Sequence, residues 1–396
     1  MANGGQLRRL SITVLSVLTI GFGAAQLLPG PAAPEAGAAP AAPTSVDPQA
    51  GDSMATASPV APSPVADSAL VNSTMSTAPT TQRPAGTITL AFAGDVNFAE
   101  RTADRLAADP TTVFGAAAPG LAAADLTMIN LETAIATGGQ PEPKSFTFRA
   151  PPAALGALRD AGVDVASMAN NHAADYGADG IAESLAAIRS SGFPVIGFGA
   201  DHAAAAAPYR ALVGGVPVTI FAASQVPDRT LNVWTATGGT PGIASANDPQ
   251  LVENVRSAAQ AGETVIVFLH WGTEYLSCPD GDQQRLADQL ATAGATAVIG
   301  AHAHVLQGAG WRADGTYVAY GLSNYLWWRS FGNEQDDNGV LTLTIADRRV
   351  VHAEFAPAHL DDTGVPVPAT GAVADRIDQQ WERVRTCADL AAEPPR

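Results

Sequence analysis

The chain has 396 residues, 46% of them hydrophobic, enough for one large domain or two ordinary ones with a substantial core. Acidic residues outnumber basic ones 38 to 21, for a formal net charge of −17. No stripe of Lys and Arg runs along the chain to neutralise phosphates, so no nucleic-acid partner is expected. Arginine supplies nearly all the cations, Lys144 being the single lysine.

Residues 1–28 read as a signal peptide or an N-terminal membrane anchor. Arg8 and Arg9 precede an uncharged, mostly apolar run from Leu10 to Leu28, close to the roughly 20 residues needed to span a bilayer. "GFGAA" offers small residues for cleavage, and no cysteine follows to carry a lipid. Export is expected, to the outer face of the membrane, the cell wall or the medium; the run itself leaves cleavage or retention open. Residues 29–84 are rich in Pro, Ala, Ser and Thr and lack aromatic residues. Such a segment cannot bury enough surface to offset its ordering entropy, and it reads as a disordered linker.

A folded domain is expected over residues 85–390. "GTITLAFAGD" is a β-rich run. Beyond it the short apolar runs "VDVASMAN", "VTIFAAS", "TVIVFLH" and "TAVIGAH" alternate with the helix-like "PAALGALRDAG", "GIAESLAAIRSSG" and "DQQRLADQLATAG". The alternation predicts an α/β fold with mainly parallel strands. "YVAYGLSNYLWW" and "GVLTLTIADRRVVHAEFAP" follow without intervening helices, so an antiparallel part is expected to close the domain. Cys278 and Cys387 are the only cysteines; in an exported protein an even count suggests one disulfide, two unrelated thiols being the alternative.

Polar residues gather where the apolar runs end. Asp95 ends the first, Asn130 and Glu132 lie in "TMINLETAI", and Asn170, Asn171 and His172 end "VASMANNH". His270 ends "TVIVFLH", while His302 and His304 follow "TAVIG" two residues apart, a spacing that on an extended backbone turns both rings to one side. In open α/β sheets ligands bind beyond the carboxyl ends of strands. Carboxylate, amide and imidazole form an N/O donor set suited to divalent Zn, Mn, Fe, Co or Ni, and the donors outnumber what one tetrahedral ion takes. Two ions sharing a bridging carboxylate would use them.

Taken in order, "AGDVN", "INLETAI", "ANNHAADYG", "HWGTEY", "GAHAHVLQG" and "YGLSNYLWW" resemble the successive blocks of the CapA/PgsA family of capsule and poly-γ-glutamate synthesis proteins. That family is a branch of the calcineurin-like metallophosphoesterase superfamily, and the resemblance runs from Thr87 to Pro357. It implies a four-layer αββα sandwich of metallophosphoesterase type, in one large domain, around a binuclear centre of Mn, Zn or Fe. Asp95 and His304 would serve one ion, Asn171, His270 and His302 the other, and Glu132 would take the bridging position. His172 would be the catalytic proton donor, with Asp175 and Tyr176 orienting its ring, although helix capping would explain Asp175 equally well. The superfamily's opening D-x-H stands here as Asp95, Val96, Asn97, which weakens the first metal position, where Asn97 replaces histidine. Asn130, Asn170, Trp271 and Glu274 are assigned to the pocket, Asn170 chiefly as a structural amide, and Asn324 is treated as fold-related.

The implied function is an exported envelope protein with a metal-dependent hydrolase-type domain, acting in the synthesis or processing of an anionic surface polymer such as poly-γ-glutamate or capsule. The partners expected are that polymer or its synthase, and the cell membrane through the N-terminus. The alternatives are a non-catalytic scaffold that binds polymer or synthase, and a phosphoesterase for a small phosphoester.

Overall fold

The computed structural model describes Pro84 and residues 86–396. The expected signal or anchor at 1–28, and the linker apart from Pro84, lie outside the described residues. Among the described residues no helix is long and apolar enough to cross a membrane.

Two large sheets form the frame. In the eight-stranded sheet the order is Pro366–Pro368, Arg349–Leu360, Asp337–Ala346, Thr87–Val96, Leu126–Leu131, Val165–Ser167 and Val195–Ile196, with Asn324–Leu326 paired beside the end of Thr87–Val96. Its Thr87 to Ile196 half is parallel, and the three C-terminal strands are antiparallel. The six-stranded sheet runs Ala309–Trp311, Tyr317–Ala319, Ala297–Ala301, Thr264–His270, Val216–Ser224 and Tyr209–Val213, parallel except at its two edges. The expected parallel core and antiparallel closure are both present, shared between two sheets.

The central strands are apolar along their whole length because both faces are covered. Every residue of "TVIVFLH" is buried, the pattern of a parallel strand between two layers and unlike the alternation of a half-exposed one. Ile88, Leu90 and Phe92 of one sheet meet Ile220, Ile266, Phe268 and Ile299 of the other in a core between the sheets. On the outer face of the larger sheet, Ala91, Ile129 and Ala166 pack with Leu106, Leu155, Leu158 and Ile181 from the helices Glu100–Ala108, Ala153–Asp160 and Gly177–Ser191. On the outer face of the smaller sheet, Val265, Val267 and Val298 pack with Leu251, Val255, Leu286 and Leu290 from Pro249–Gln260 and Gly281–Ala293. The layers therefore stack as helix, sheet, sheet, helix, which is the αββα sandwich expected. Each large aliphatic side chain so buried contributes about 1.5–3 kcal/mol.

Near its end the Thr87–Val96 strand changes neighbours. Up to Phe92 it pairs antiparallel with Asp337–Ala346, and from Asp95 it pairs parallel with Asn324–Leu326. Gly94 makes the crossing possible: a Cβ there would stand 1.9 Å from the Ser323 carbonyl oxygen, and Asp95 N donates to that same oxygen at 2.9 Å. The glycine thus sets Asp95 at the strand end.

The helix Ala372–Cys387 closes the domain, Trp381 stacking on Phe355 at 4.0 Å and Cys387 joining Cys278 in a disulfide. The expected bridge is formed and ties the loop after "HWGTEY" to this helix.

Candidate metal centre

Five strands from both sheets end at one place. Asp95 is the penultimate residue of Thr87–Val96, Glu132 follows Leu126–Leu131, and Asn170 to His172 lie beyond Val165–Ser167. His270 ends Thr264–His270, and His302 and His304 follow Ala297–Ala301. The two histidines converge by a route other than the one expected. Both lie past the strand with left-handed backbones, φ 98° at His302 and 54° at His304, so a strained turn aims the rings, which stand 5.8 Å apart.

Every donor is buried. Ligand atoms of Asp95, Glu132 and His270 lie within 4.8 Å of one another, as do those of Glu132, His302 and His304. Glu132 belongs to both groups, as a bridging carboxylate would. The residues expected to share an ion also neighbour one another, the His270 and His302 rings standing 4.7 Å apart. His270 Nε2 meets Asn171 Oδ1 at 2.9 Å and lies 3.7 Å from Glu132 Oε1. His304 Nδ1 is 3.5 Å from Asp95 Oδ2.

Residues behind the donors hold them in place. Asn130 Nδ2 donates to Asp95 Oδ1 at 2.8 Å and sits 3.1 Å from His270 Nδ1. Asn170 Nδ2 donates to Asn130 Oδ1 and to the Leu131 carbonyl, and its Oδ1 accepts from His172 N, so Asn170 is a structural amide as expected. Asn324, treated as fold-related from sequence, faces the site: its Oδ1 meets His304 Nδ1 at 2.8 Å. Asn97 Nδ2 donates to the Glu132 carbonyl at 3.0 Å, which leaves its Oδ1 buried without a partner.

His172 stands beside the cluster with Nε2 3.8 Å from Glu132 Oε1, while its Nδ1 meets Asp175 Oδ2 at 2.6 Å. Asp175 does not cap the following helix, whose start has no side-chain cap. It also accepts from Phe148 N and from Lys144 Nζ at 2.8 Å. Tyr176 lies under the Arg149 guanidinium instead. Trp271 corrects the pocket assignment: fully buried, it donates Nε1 to the Tyr320 carbonyl at 2.8 Å and stacks on that ring within the core under the outer helices. Strand alternation decides this, since His270 and its neighbour face opposite sides. Glu274 is exposed, in the same loop as Tyr275, whose ring lies 6.1 Å from His304.

The sequence reading passed over the residues around the mouth. The Phe148 ring lies 4.4 Å from His172, and the Trp327 ring 4.8 Å from His304. Lys144 reaches Asp175, the Asn171 carbonyl, Thr230 Oγ1 and Asp228. Its being the only lysine was a visible signal; the loops that bring the aromatic rings in carry none of comparable strength.

The electrostatics suit a cation. Burial, and then the neighbouring Asp95 carboxylate, push the Glu132 carboxyl well above its usual range. Burial, and then the other imidazoles, hold His270 and His302 well below theirs, in the neutral form a metal requires. At His304 burial works downward, but Asp95, Glu274 and Asn324 outweigh it and the net shift is upward. Glu132 Oε1 and His302 Nδ1 are buried without hydrogen-bond partners. Such orphaned lone pairs are costly in a dry interior, and a divalent ion would satisfy both, so the residues present fit the group.

A four-layer αββα sandwich with an N/O donor cluster where strands of both sheets end is the arrangement that the sequence led us to expect. The chain belongs to the bacterial capsule synthesis protein PGA_cap family, whose model matches residues 89–327. It is 26% identical over 309 residues to the capsule biosynthesis protein CapA of Bacillus anthracis, covering 76% of this chain and 74% of that one. It is 30% identical over 198 residues to a "Probable polyglutamine synthesis accessory protein" of Mycobacterium tuberculosis, covering 46% of this chain and half of that one. Among solved structures, the NAD nucleotidase of Haemophilus influenzae is similar with a TM-score of 0.42 and 10% identity, over 78% of this chain and 58% of that one.

Proposed function

We propose that this protein is an exported, metal-dependent hydrolase of the cell envelope that acts on an anionic surface polymer, poly-γ-glutamate or a related capsule, during its synthesis or processing. The observation that carries the reading is Glu132, shared by both donor groups with one oxygen left unpartnered, beside a His172 already hydrogen-bonded to Asp175. The relatives' names, capsule biosynthesis and polyglutamine synthesis, support a surface polymer, the family resemblance suggests poly-γ-glutamate, and the Cys278–Cys387 bridge supports an oxidising compartment.

Asp95, Glu132, Asn171, His270, His302 and His304 would hold two divalent ions such as Mn, Zn or Fe, with Asn97 at the edge of the first. Such ions supply Lewis-acid polarisation of an acyl or phosphoryl centre and a nucleophile available at neutral pH. The chain's own residues do the rest. Asp175 takes the Nδ1 proton of His172 into a hydrogen bond and so turns Nε2 toward the centre, where it exchanges a proton with the leaving group. Phe148 packs on the same ring and limits water around it.

Full-length protein saturated with Mn or Zn and freed of excess should carry close to two ions per chain by elemental analysis, and the His302→Ala/His304→Ala variant should lose them. His172→Gln should keep its metal and lose hydrolysis of γ-glutamyl amides or phosphodiesters. A well-folded native protein that takes up no metal would sink the reading. A scaffold that binds polymer or synthase without cleaving it is the second reading; Asn97 favours it, because its amide is turned to the Glu132 carbonyl where the superfamily offers an imidazole. Wild-type function in cells carrying His172→Gln would decide for the scaffold.

A further inference from the structure

At the mouth of the centre, Arg329 is surrounded by aromatic rings. Its guanidinium carbon lies 4.4 Å from the centroid of Trp328, 4.5 Å from that of Phe331 and 6.0 Å from that of Phe146. Ring stacking engages the faces of a guanidinium and leaves its N–H edge free. That edge has no protein partner: among the described residues Arg329 makes no ion pair, and no other arginine has a buried side-chain nitrogen without a hydrogen bond, as Arg329 has at Nε. The nearest acidic residue in sequence, Glu334, pairs with Arg383, and the next, Asp336, is already taken by Ser330 Oγ and the backbone N–H groups of Phe331 and Gly332. It shapes the loop and leaves the arginine unneutralised.

The position links this cation to the centre. Trp328 lies 6.2 Å from Phe148, and Phe148 lies 4.4 Å from His172, so one aromatic ring separates the cage from the proton-transfer histidine. A chain of net charge −17 repels polyanions, so a cation left unpaired at the entrance is where attraction for one can act.

We propose that Arg329 is an oxyanion-recognition residue that binds a free carboxylate of the substrate through its guanidinium edge, with the aliphatic stem of that carboxylate lying on Trp328 and Phe146. A planar fork clamped between rings matches a planar carboxylate in two parallel hydrogen bonds. The ligand class is thus a chain that carries a carboxylate a few carbons from the bond held at the centre. The location of that bond rests on the function proposed above; the carboxylate site itself does not.

The test is calorimetric binding of a short γ-glutamyl oligomer, and of its methyl ester, to full-length native protein, Arg329→Gln and Arg329→Lys, each with and without Mn, with metal counted separately. Arg329→Gln should bind the oligomer at least about tenfold more weakly with its metal content unchanged. Arg329→Lys, which keeps the charge and loses the fork, should recover only part of the affinity, and the ester should bind poorly to all three. Equal affinity in native and Arg329→Gln proteins, an ester that binds as well as the acid, or no binding by the metal-loaded native protein would overturn the inference. A native protein that takes up no metal, yet whose oligomer binding depends on Arg329, would instead sink the hydrolase reading and leave the carboxylate site standing.

Discussion

Lys144 shows how a lone charge organises a site without touching its chemistry. Its ammonium ties Asp175 to the Asn171 carbonyl and to Thr230 on a separate segment, and Asp175 in turn fixes His172. Removing one member of a buried pair strands the other, at a cost of roughly 3–5 kcal/mol. Lys144→Met should therefore destabilise the protein by about that much in denaturant titration, the exact size depending on water reaching Asp175, and Lys144→Arg should recover little because the pocket is built for a compact ammonium. Glu132→Gln should act in the opposite direction on stability. It removes a buried carboxylate set against Asp95, so the melting temperature of the metal-free protein should rise while elemental analysis finds the metal content reduced. At this scale the donors were legible because each ends an apolar run. Lys144 stood out only as the single lysine, and Phe148 and Arg329 not at all, because they sit in irregular segments whose destination is fixed by tertiary contacts.

Among the elements, close approach and capping matter most. The Ala297–Ala301 strand can pass the neighbouring chain only because residue 300 lacks a side chain: a Cβ there would lie 2.0 Å from the Tyr320 carbonyl oxygen and 2.2 Å from Trp271 Nε1. Gly300→Ala should push the strand off its neighbour, lower the melting temperature by several degrees and misplace His302 and His304, which the metal count would read. On the Pro249–Gln260 helix, Asp248 accepts from Gln250 N at 2.9 Å and from His202. Burial works to raise its pKa, but these bonds outweigh it and the net shift is downward. A depressed carboxylate gives stability that is full above its unfolded value, near pH 4, and is lost as the pH falls through the lower folded value. The stability gap between native protein and Asp248→Ala, about 1 kcal/mol at neutral pH, should thus shrink on acidification in thermal melts. Strands and helices with strong periodicity were readable in the sequence; the Asp280 to Gln283 capping box that starts the Gly281–Ala293 helix emerges from the structure. The division into two sheets was not: a parallel run of apolar strands looks the same whichever sheet it joins, and only the family resemblance supplied the sandwich.

For the whole molecule, the disulfide and the path of the first strand set the terms. Cys278 and Cys387 are 109 residues apart, and a closed loop of that size restrains the unfolded chain by about 4–5 kcal/mol in the chain-entropy model. Cys278→Ser/Cys387→Ser should lose a comparable amount in denaturant unfolding, with native protein treated with reductant following it, and the mouth loop bearing Glu274 and Tyr275 should exchange its amide hydrogens faster. The Thr87–Val96 strand, which carries Asp95, lies between Leu126–Leu131 and Asp337–Ala346 in the larger sheet. One neighbour is therefore made soon after it and the other some 240 residues later. Contacts so remote in sequence slow folding, since a long loop must close before it is rewarded. A chain made from its N-terminus holds Asp95 with one flank open until Asn324–Leu326 is made, and the rest of its strand until Asp337–Ala346 follows. An unfinished chain thus lacks the frame that sets Asp95, by topology alone.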